Sequence, residues 1–112
     1  MKAVLVTGGF DPIHSGHISY LKDAKKLGDV LIVGLNSDQW LTRKKSSFFM
    51  KWNERASIIR ELLCVDDVID FDDSDGSAID AIEQCLEQYD HVIFANGGDR
   101  ISTNTVSYTH LR

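Results

Sequence analysis

Basic side chains are scarce in this chain: 12 Lys and Arg stand against 17 Asp and Glu, a net charge of −5 over 112 residues and a pI near 5.2. Nucleic acid and anionic membrane surfaces are bound by clustered Lys and Arg, so neither is expected as a partner. The one dense basic run is Arg43-Lys44-Lys45, and a polyanionic ligand would have to draw on it. No apolar stretch approaches the ~20 residues of a membrane span. Met1-Lys2 passes straight into a short strand-like run, too short for a signal peptide, so a cytoplasmic protein is expected. Cysteine is scarce too. Cys64 and Cys85 lie far apart, on what read as apolar helix faces, and match neither a disulfide framework nor metal-ligand spacing. Packed, reduced thiols are expected.

What is present is an alternation of short apolar runs with amphipathic segments, the pattern of a parallel sheet with crossover helices in a single domain. Ala3-Val4-Leu5-Val6, residues 30–35, Val68-Ile69-Asp70-Phe71 and residues 91–95 read as four buried strands. Helices are expected over 17–27, with Ile18, Leu21, Ala24 and Leu27 on one face; over 52–63, burying Ile58, Ile59, Leu62 and Leu63; and over 77–89. Gly28 is expected as a left-handed helix stop. Asn36-Ser37-Asp38 offers capping side chains for a short helix, whereas residues 43–50 show no period and read as a loop. Right-handed crossovers then give a doubly wound α/β sheet with helices on both faces. Its ligand crevice lies at the carboxyl ends of the strands.

Thr7-Gly8-Gly9-Phe10-Asp11-Pro12-Ile13-His14-Ser15-Gly16-His17 falls where the first strand hands over to a helix. Such a helix N-terminus has unpaired amides and a partial positive charge, so it holds an anion. Two imidazoles beside it suit chemistry on that anion. In nucleotidyl transfer a phosphate oxygen attacks the α-phosphorus of a nucleoside triphosphate and pyrophosphate leaves, so positioned donors and cations do the work. His14 and His17 would donate to the phosphates and Lys44 would supply a point charge. Gly8 and Gly9 would give the chain room to turn, and Gly16 would allow close approach. The plainer reading of Lys44 and its neighbours is a solvated loop, and Asp38 reads equally as a nucleotide contact or as a helix cap. Zinc would need a third ligand that is not evident nearby, and no metal site is expected. A P-loop is excluded because His17 and Ile18 follow Gly16. The glycine spacing does not make a dinucleotide fingerprint, although Asp38 near the end of the second strand keeps a nicotinamide-binding fold as an alternative. Asp72, Asp73, Asp75 and Gly76 do not make a calcium loop, since Phe71 and Ile82 occupy its first and last ligand positions.

Gly9-Phe10-Asp11 with His14-Ser15-Gly16-His17 resembles the HxGH signature of the nucleotidyltransferase superfamily that includes the cytidylyltransferases. The resemblance runs from Lys2 to about Arg100. Residues 17–29 are similar to the adenylyltransferase domain of bacterial ADP-heptose synthase and to glycerol-3-phosphate cytidylyltransferase; Asn36-Ser37-Asp38 and Gly97-Gly98-Asp99 lean towards the former. The resemblance implies a Rossmann-like fold and transfer of CMP or AMP from CTP or ATP to a phosphorylated sugar or polyol. It makes His14 and His17 stabilisers of the transition state and places Phe10 and Asp11 in the nucleotide loop. It puts Lys44 on the triphosphate, Arg55 near the substrates (or on the helix surface as a plain charge), and Gly98 and Asp99 near the base or ribose. Magnesium is implied with the triphosphate. A homodimer is common in this family, and Trp40, Phe48, Phe49 and Trp52 either supply an apolar surface for it or pack inward. A non-catalytic nucleotide-binding module of the same fold is the competing expectation.

The family usually continues into a last strand and a Ser/Thr-rich turn that grips the β and γ phosphates. Residues 101–105 directly follow Gly98-Asp99 and are not given that role. Residues 106–112 resemble a translated sequencing-adapter tail and are expected to be non-native, leaving 1–105 as a C-terminally incomplete nucleotidyltransferase domain that binds nucleotide weakly and turns over poorly.

Overall fold

The computed structural model describes residues 1–95 and 105–109. Its elements run β1 (Lys2–Gly8), α1 (Ser15–Lys25), β2 (Val30–Leu35), α2 (Asp38–Lys45), α3 (Trp52–Arg60), β3 (Asp67–Ile69), α4 (Ile79–Gln88), β4 (His91–Ala95) and β5 (Thr105–Thr109). They form one sheet in the order β3-β2-β1-β4-β5. β1 pairs in parallel with β2 on one side and β4 on the other, and β2 pairs in parallel with β3.

Strand β1 is apolar on both faces because both are covered. Val4 and Val6 join Leu31, Val33 and Leu35 of β2 against Leu21 and Ala24 of α1 and Ala56 and Ile59 of α3. On the opposite face Ala3 and Leu5 pack with Ile32, Val92 and Phe71 against Ala81 and Cys85 of α4. The fully buried Leu and Ile side chains each contribute about 1.5–3 kcal/mol. The connections β1-α1-β2 and β2-α3-β3 lead one way along the sheet, and α4 returns the chain past β1 to β4. The direction of travel therefore reverses between β1 and β4, where a doubly wound sheet opens its crevice.

Several expectations are corrected. The sheet is mixed, not wholly parallel: β5, which no expected element covered, runs antiparallel to β4, pairing Ala95 with Thr105 and His91 with Thr109. Residues 96–104 are too few for the dozen-residue crossover that a parallel partner needs. Residues 43–45 are helical, not loop: α2 is capped by the Ser37 hydroxyl at its start and ends where Ser46 adopts φ 73°. Its apolar period is invisible because Leu41 is its buried residue. Helix α3 stops at Arg60, so Leu63 is fully exposed, and Ile58 lies within the helix but off its buried face of Arg55, Ala56 and Ile59. Cys64 accordingly sits in the turn after α3, not on a helix face, half-buried against the core. Cys85 is buried in α4, where burial and then Asp67 push its thiol up to about 11. Both cysteines are free. Gly28 is not left-handed; a Cβ there would lie 2.8 Å from Val4 Cγ2 and 3.0 Å from the Lys2 carbonyl, so the glycine permits the turn to pass close to β1. Among the described residues no helix is long and apolar enough to cross a membrane.

Candidate active site

After Gly8 the chain turns through Gly9, Phe10 and a cis Asp11–Pro12 peptide into α1. Phe10 holds φ 49°, a left-handed conformation that is costly for a bulky residue. Packing holds it there: the residue is buried, and its ring meets the His17 ring edge-on at 4.9 Å. A Cβ on Gly8 would crowd that ring at 3.1 Å, and one on Gly9 would come within 2.6 Å of Leu41 Cδ2, so both glycines make room for neighbouring side chains.

His14 is the N-cap of α1. Its Nδ1 accepts the Gly16 amide at 3.1 Å, and His17 Nδ1 accepts the His14 amide at 3.1 Å, a capping box built from two imidazoles. The rings stack with centroids 3.9 Å apart and planes 26° apart. A backbone amide only donates, so each Nδ1 is unprotonated and each neutral ring carries its proton on Nε2. The pair therefore offers two Nε2–H donors at the end of β1. Burial, and then the neighbouring His14, hold the His17 pKa below its usual 6.5. A Cβ on Gly16 would stand 2.9 Å from His14 Cε1, so the glycine between the histidines leaves space for the ring that caps the helix. The amides of His14 and Gly16, which the sequence offers to an anion, are given to the imidazoles. Anion-directed donation passes to the Nε2–H groups.

Arg55 is not a surface charge. Its side chain is fully buried and joins three segments: Nε donates to the Met50 carbonyl at 2.9 Å, Nη1 to the Gly9 and Asn36 carbonyls at 2.8 and 2.9 Å, and Nη2 to Asp38 Oδ1 at 2.6 Å. Asp38 thus ties the loop after β2 to the loop after β1 through this guanidinium. The Asp11 carboxylate is shut off from solvent, accepting the amides of Phe49 and Met50 at 2.5 and 2.7 Å with Lys45 Nζ at 3.2 Å. Burial raises its pKa, but those two amides and the Lys45 ammonium more than offset this and hold it below the usual carboxylate value.

Of the basic run, Lys45 is the member that reaches the first loop, donating also to the Asp11 carbonyl at 2.6 Å. Lys44 is exposed, with its ammonium 5.0 Å from the Trp40 ring centre. Phe48 and Phe49 are exposed, whereas Trp52 packs inward and donates to the Leu35 carbonyl at 2.9 Å. Gly98 and Asp99 lie outside the described residues, and with them the contribution of the loop after β4.

Two participants escaped the sequence reading. Tyr20 donates to the Ala95 carbonyl at 2.9 Å, joining α1 to the end of β4, and burial pushes its phenol up to about 12. Asp73 is buried and accepts the Asn36 side-chain amide at 3.0 Å, the Ser37 amide at 2.8 Å and the Ser37 hydroxyl at 2.8 Å. Neither had a local signal, because each partner is dozens of residues away. Among the described residues no group of three His, Cys, Asp or Glu side chains is placed to hold a metal.

A doubly wound sheet with a histidine-capped helix at its reversal point is a Rossmann-like α/β architecture. The chain belongs to the cytidylyltransferase-like family, which it matches over residues 5–110, as the histidine motif implies. It is 36% identical over 107 residues to the bifunctional protein HldE of Helicobacter pylori strain HPAG1, covering 94% of this chain and 22% of that protein. HldE of Citrifermentans bemidjiense is 38% identical over 100 residues, 88% of this chain and 19% of the relative. The chain thus spans about a fifth of the length of these relatives. Among solved structures, the lipopolysaccharide core biosynthesis protein from Thermoplasma volcanium superposes with a TM-score of 0.63 at 36% identity, over 78% of this chain and 67% of that one.

Proposed function

We propose that this domain transfers CMP or AMP from CTP or ATP to a phosphorylated sugar or polyol. An acceptor phosphate oxygen forms a bond to the α-phosphorus, the bond from that phosphorus to the bridging oxygen breaks, and pyrophosphate leaves. No protein nucleophile is required. The observation that carries this reading is the stacked histidine pair, whose Nδ1 atoms are committed to the helix cap and whose Nε2–H groups remain as two rigid donors. Donors placed where charge develops lower the barrier because they need no reorganisation. Lys44, exposed at the end of α2, supplies positive charge for the phosphates, and Gly98-Asp99 would approach the base or ribose.

Asp11 and Asp38, the carboxylates of these two loops, are engaged by amides and by Lys45 and Arg55. They do not form a magnesium cage, so magnesium enters as part of the triphosphate substrate. The family membership and the HldE relatives support a phosphorylated sugar as acceptor.

A matrix of ATP and CTP against heptose 1-phosphate, hexose 1-phosphates and glycerol 3-phosphate, assayed for pyrophosphate, tests this reading. Acceptor-dependent release with one triphosphate is expected. Saturable triphosphate binding with no release in any pairing would replace the enzyme by a nucleotide-binding module, and binding of a dinucleotide alone would indicate a nicotinamide site.

A further inference from the structure

Near the turn that precedes the histidines, where Trp40 comes within 3.7 Å of a Cβ placed on Gly9, a cleft of about 230 Å³ opens among Thr7, Asn36, Trp40, Phe71, Ser77 and Phe94. Thr7, Asn36 and Phe94 stand at or near the carboxyl ends of β1, β2 and β4, so the cleft occupies the crevice of the sheet. Its lining has no Lys or Arg, which makes it a poor seat for a triphosphate. Aromatic faces interleaved with hydroxyl and amide groups suit an uncharged polyhydroxyl body. Its two walls come from different parts of the chain: Asn36 and Trp40 from the loop after β2 and helix α2, Gly76, Ser77 and Ala78 from the loop before α4.

Asp73 joins these walls. It precedes the second wall by a few residues, and its carboxylate accepts three hydrogen bonds from Asn36 and Ser37 of the first. The Ser37 hydroxyl that donates to Asp73 also accepts the Trp40 amide at 3.0 Å, so the carboxylate orients the cap that starts α2 and seats Trp40. Because Asn36 Nδ2 is committed to Asp73, the orientation of that amide is set and Oδ1 remains its acceptor. The Asp73 carbonyl accepts Arg43 Nη2 at 3.0 Å, a further tie from the same loop to α2. From Asn36 the connection continues through Arg55 to Gly9, behind the histidine turn.

We propose that Asp73 is a positioning residue for the acceptor, clamping the two walls of this cleft so that the polyhydroxyl part of the substrate is held while its phosphate faces the histidines. This rests on the transfer reading given above. Asp73→Ala removes both acceptor oxygens and leaves the Asn36 side-chain amide and the Ser37 amide without their partner. Asp66→Ala is the control: Asp66 accepts the Leu31 amide at 2.7 Å and pairs with Lys25, a similar clamp at the opposite end of the sheet.

With the best substrate pair, Asp73→Ala is expected to raise the KM for the acceptor at least tenfold, while kcat and the KM for the triphosphate change less than threefold; Asp66→Ala leaves all three within twofold. An unchanged acceptor KM, or equal effects of the two variants, overturns the proposal. If the wild-type chain transfers to no acceptor, the transfer reading fails by itself and amide exchange decides the clamp. Exchange at Ser37 and Trp40 should then accelerate at least tenfold in Asp73→Ala with the Leu31 amide unaffected, and unchanged protection at Ser37 and Trp40 overturns it.

Discussion

His14 and His17 are usually thought of as groups that gain and lose protons, yet here each Nδ1 is occupied by an amide hydrogen. Protonating Nδ1 of His17 would break its half of the capping box, so the fold disfavours the His17 imidazolium. The consequence for stability has a definite sign. The folded pKa of His17 lies below the usual 6.5, chiefly through burial. The unfolded chain therefore binds more protons between those two values, and stability rises with pH across that window. His17's contribution is complete above about pH 6.5 and is lost as pH falls from there through the folded pKa. Urea unfolding at pH 7.5 and pH 5.0 should show a lower midpoint at the acidic value, with a smaller difference in His17→Gln. Equal differences in the two proteins would show that His17 is not held neutral by the fold.

At the scale of elements, the loops after β1 and β2 and the chain leading into α3 are held together by one planar cation. Arg55 makes four hydrogen bonds in a fixed fork, two of them to the Gly9 and Asn36 carbonyls of different loops. A lysine carries the same charge but a compact ammonium that cannot span these acceptors. Arg55→Lys should therefore lose most of what Arg55→Ala loses, about 3 kcal/mol or more, because buried acceptors are left unpaired. Asp38→Asn should cost less, since Asp38 is partly hydrated. The check is urea denaturation of the three variants, and an Arg55→Lys protein within about 0.5 kcal/mol of wild type would contradict the fork as the source of the stability. The arginine reads as an ordinary helix charge in the sequence because burial of a guanidinium depends on carbonyls that come from distant segments.

Across the whole molecule, what was legible is what rests on local pattern. The strands β1, β2 and β4 are continuous apolar runs between turns, and residues 91–95 emerge with the same bounds in sequence and structure. The parallel order follows from the alternation with helices, and the histidine turn from its junction position. Features that depend on tertiary pairing were not legible. Helix α2 has too little buried surface to show a period, and the antiparallel β5 is set by the free edge of β4. Asp73 reads as one acid in a polar turn until Asn36 and Ser37 are brought to it from 37 and 36 residues away.

These scales meet in the claim that two neutral imidazoles, fixed by their own helix, donate to a transferring phosphate. The most direct measurement is acceptor-dependent pyrophosphate release by the wild-type chain, His14→Ala and His17→Ala with the best substrate pair at pH 7.5. Each single variant should slow release by about 10²-fold or more, the typical loss for one preorganised donor, while remaining folded. Release by either folded variant at the wild-type rate would contradict the account.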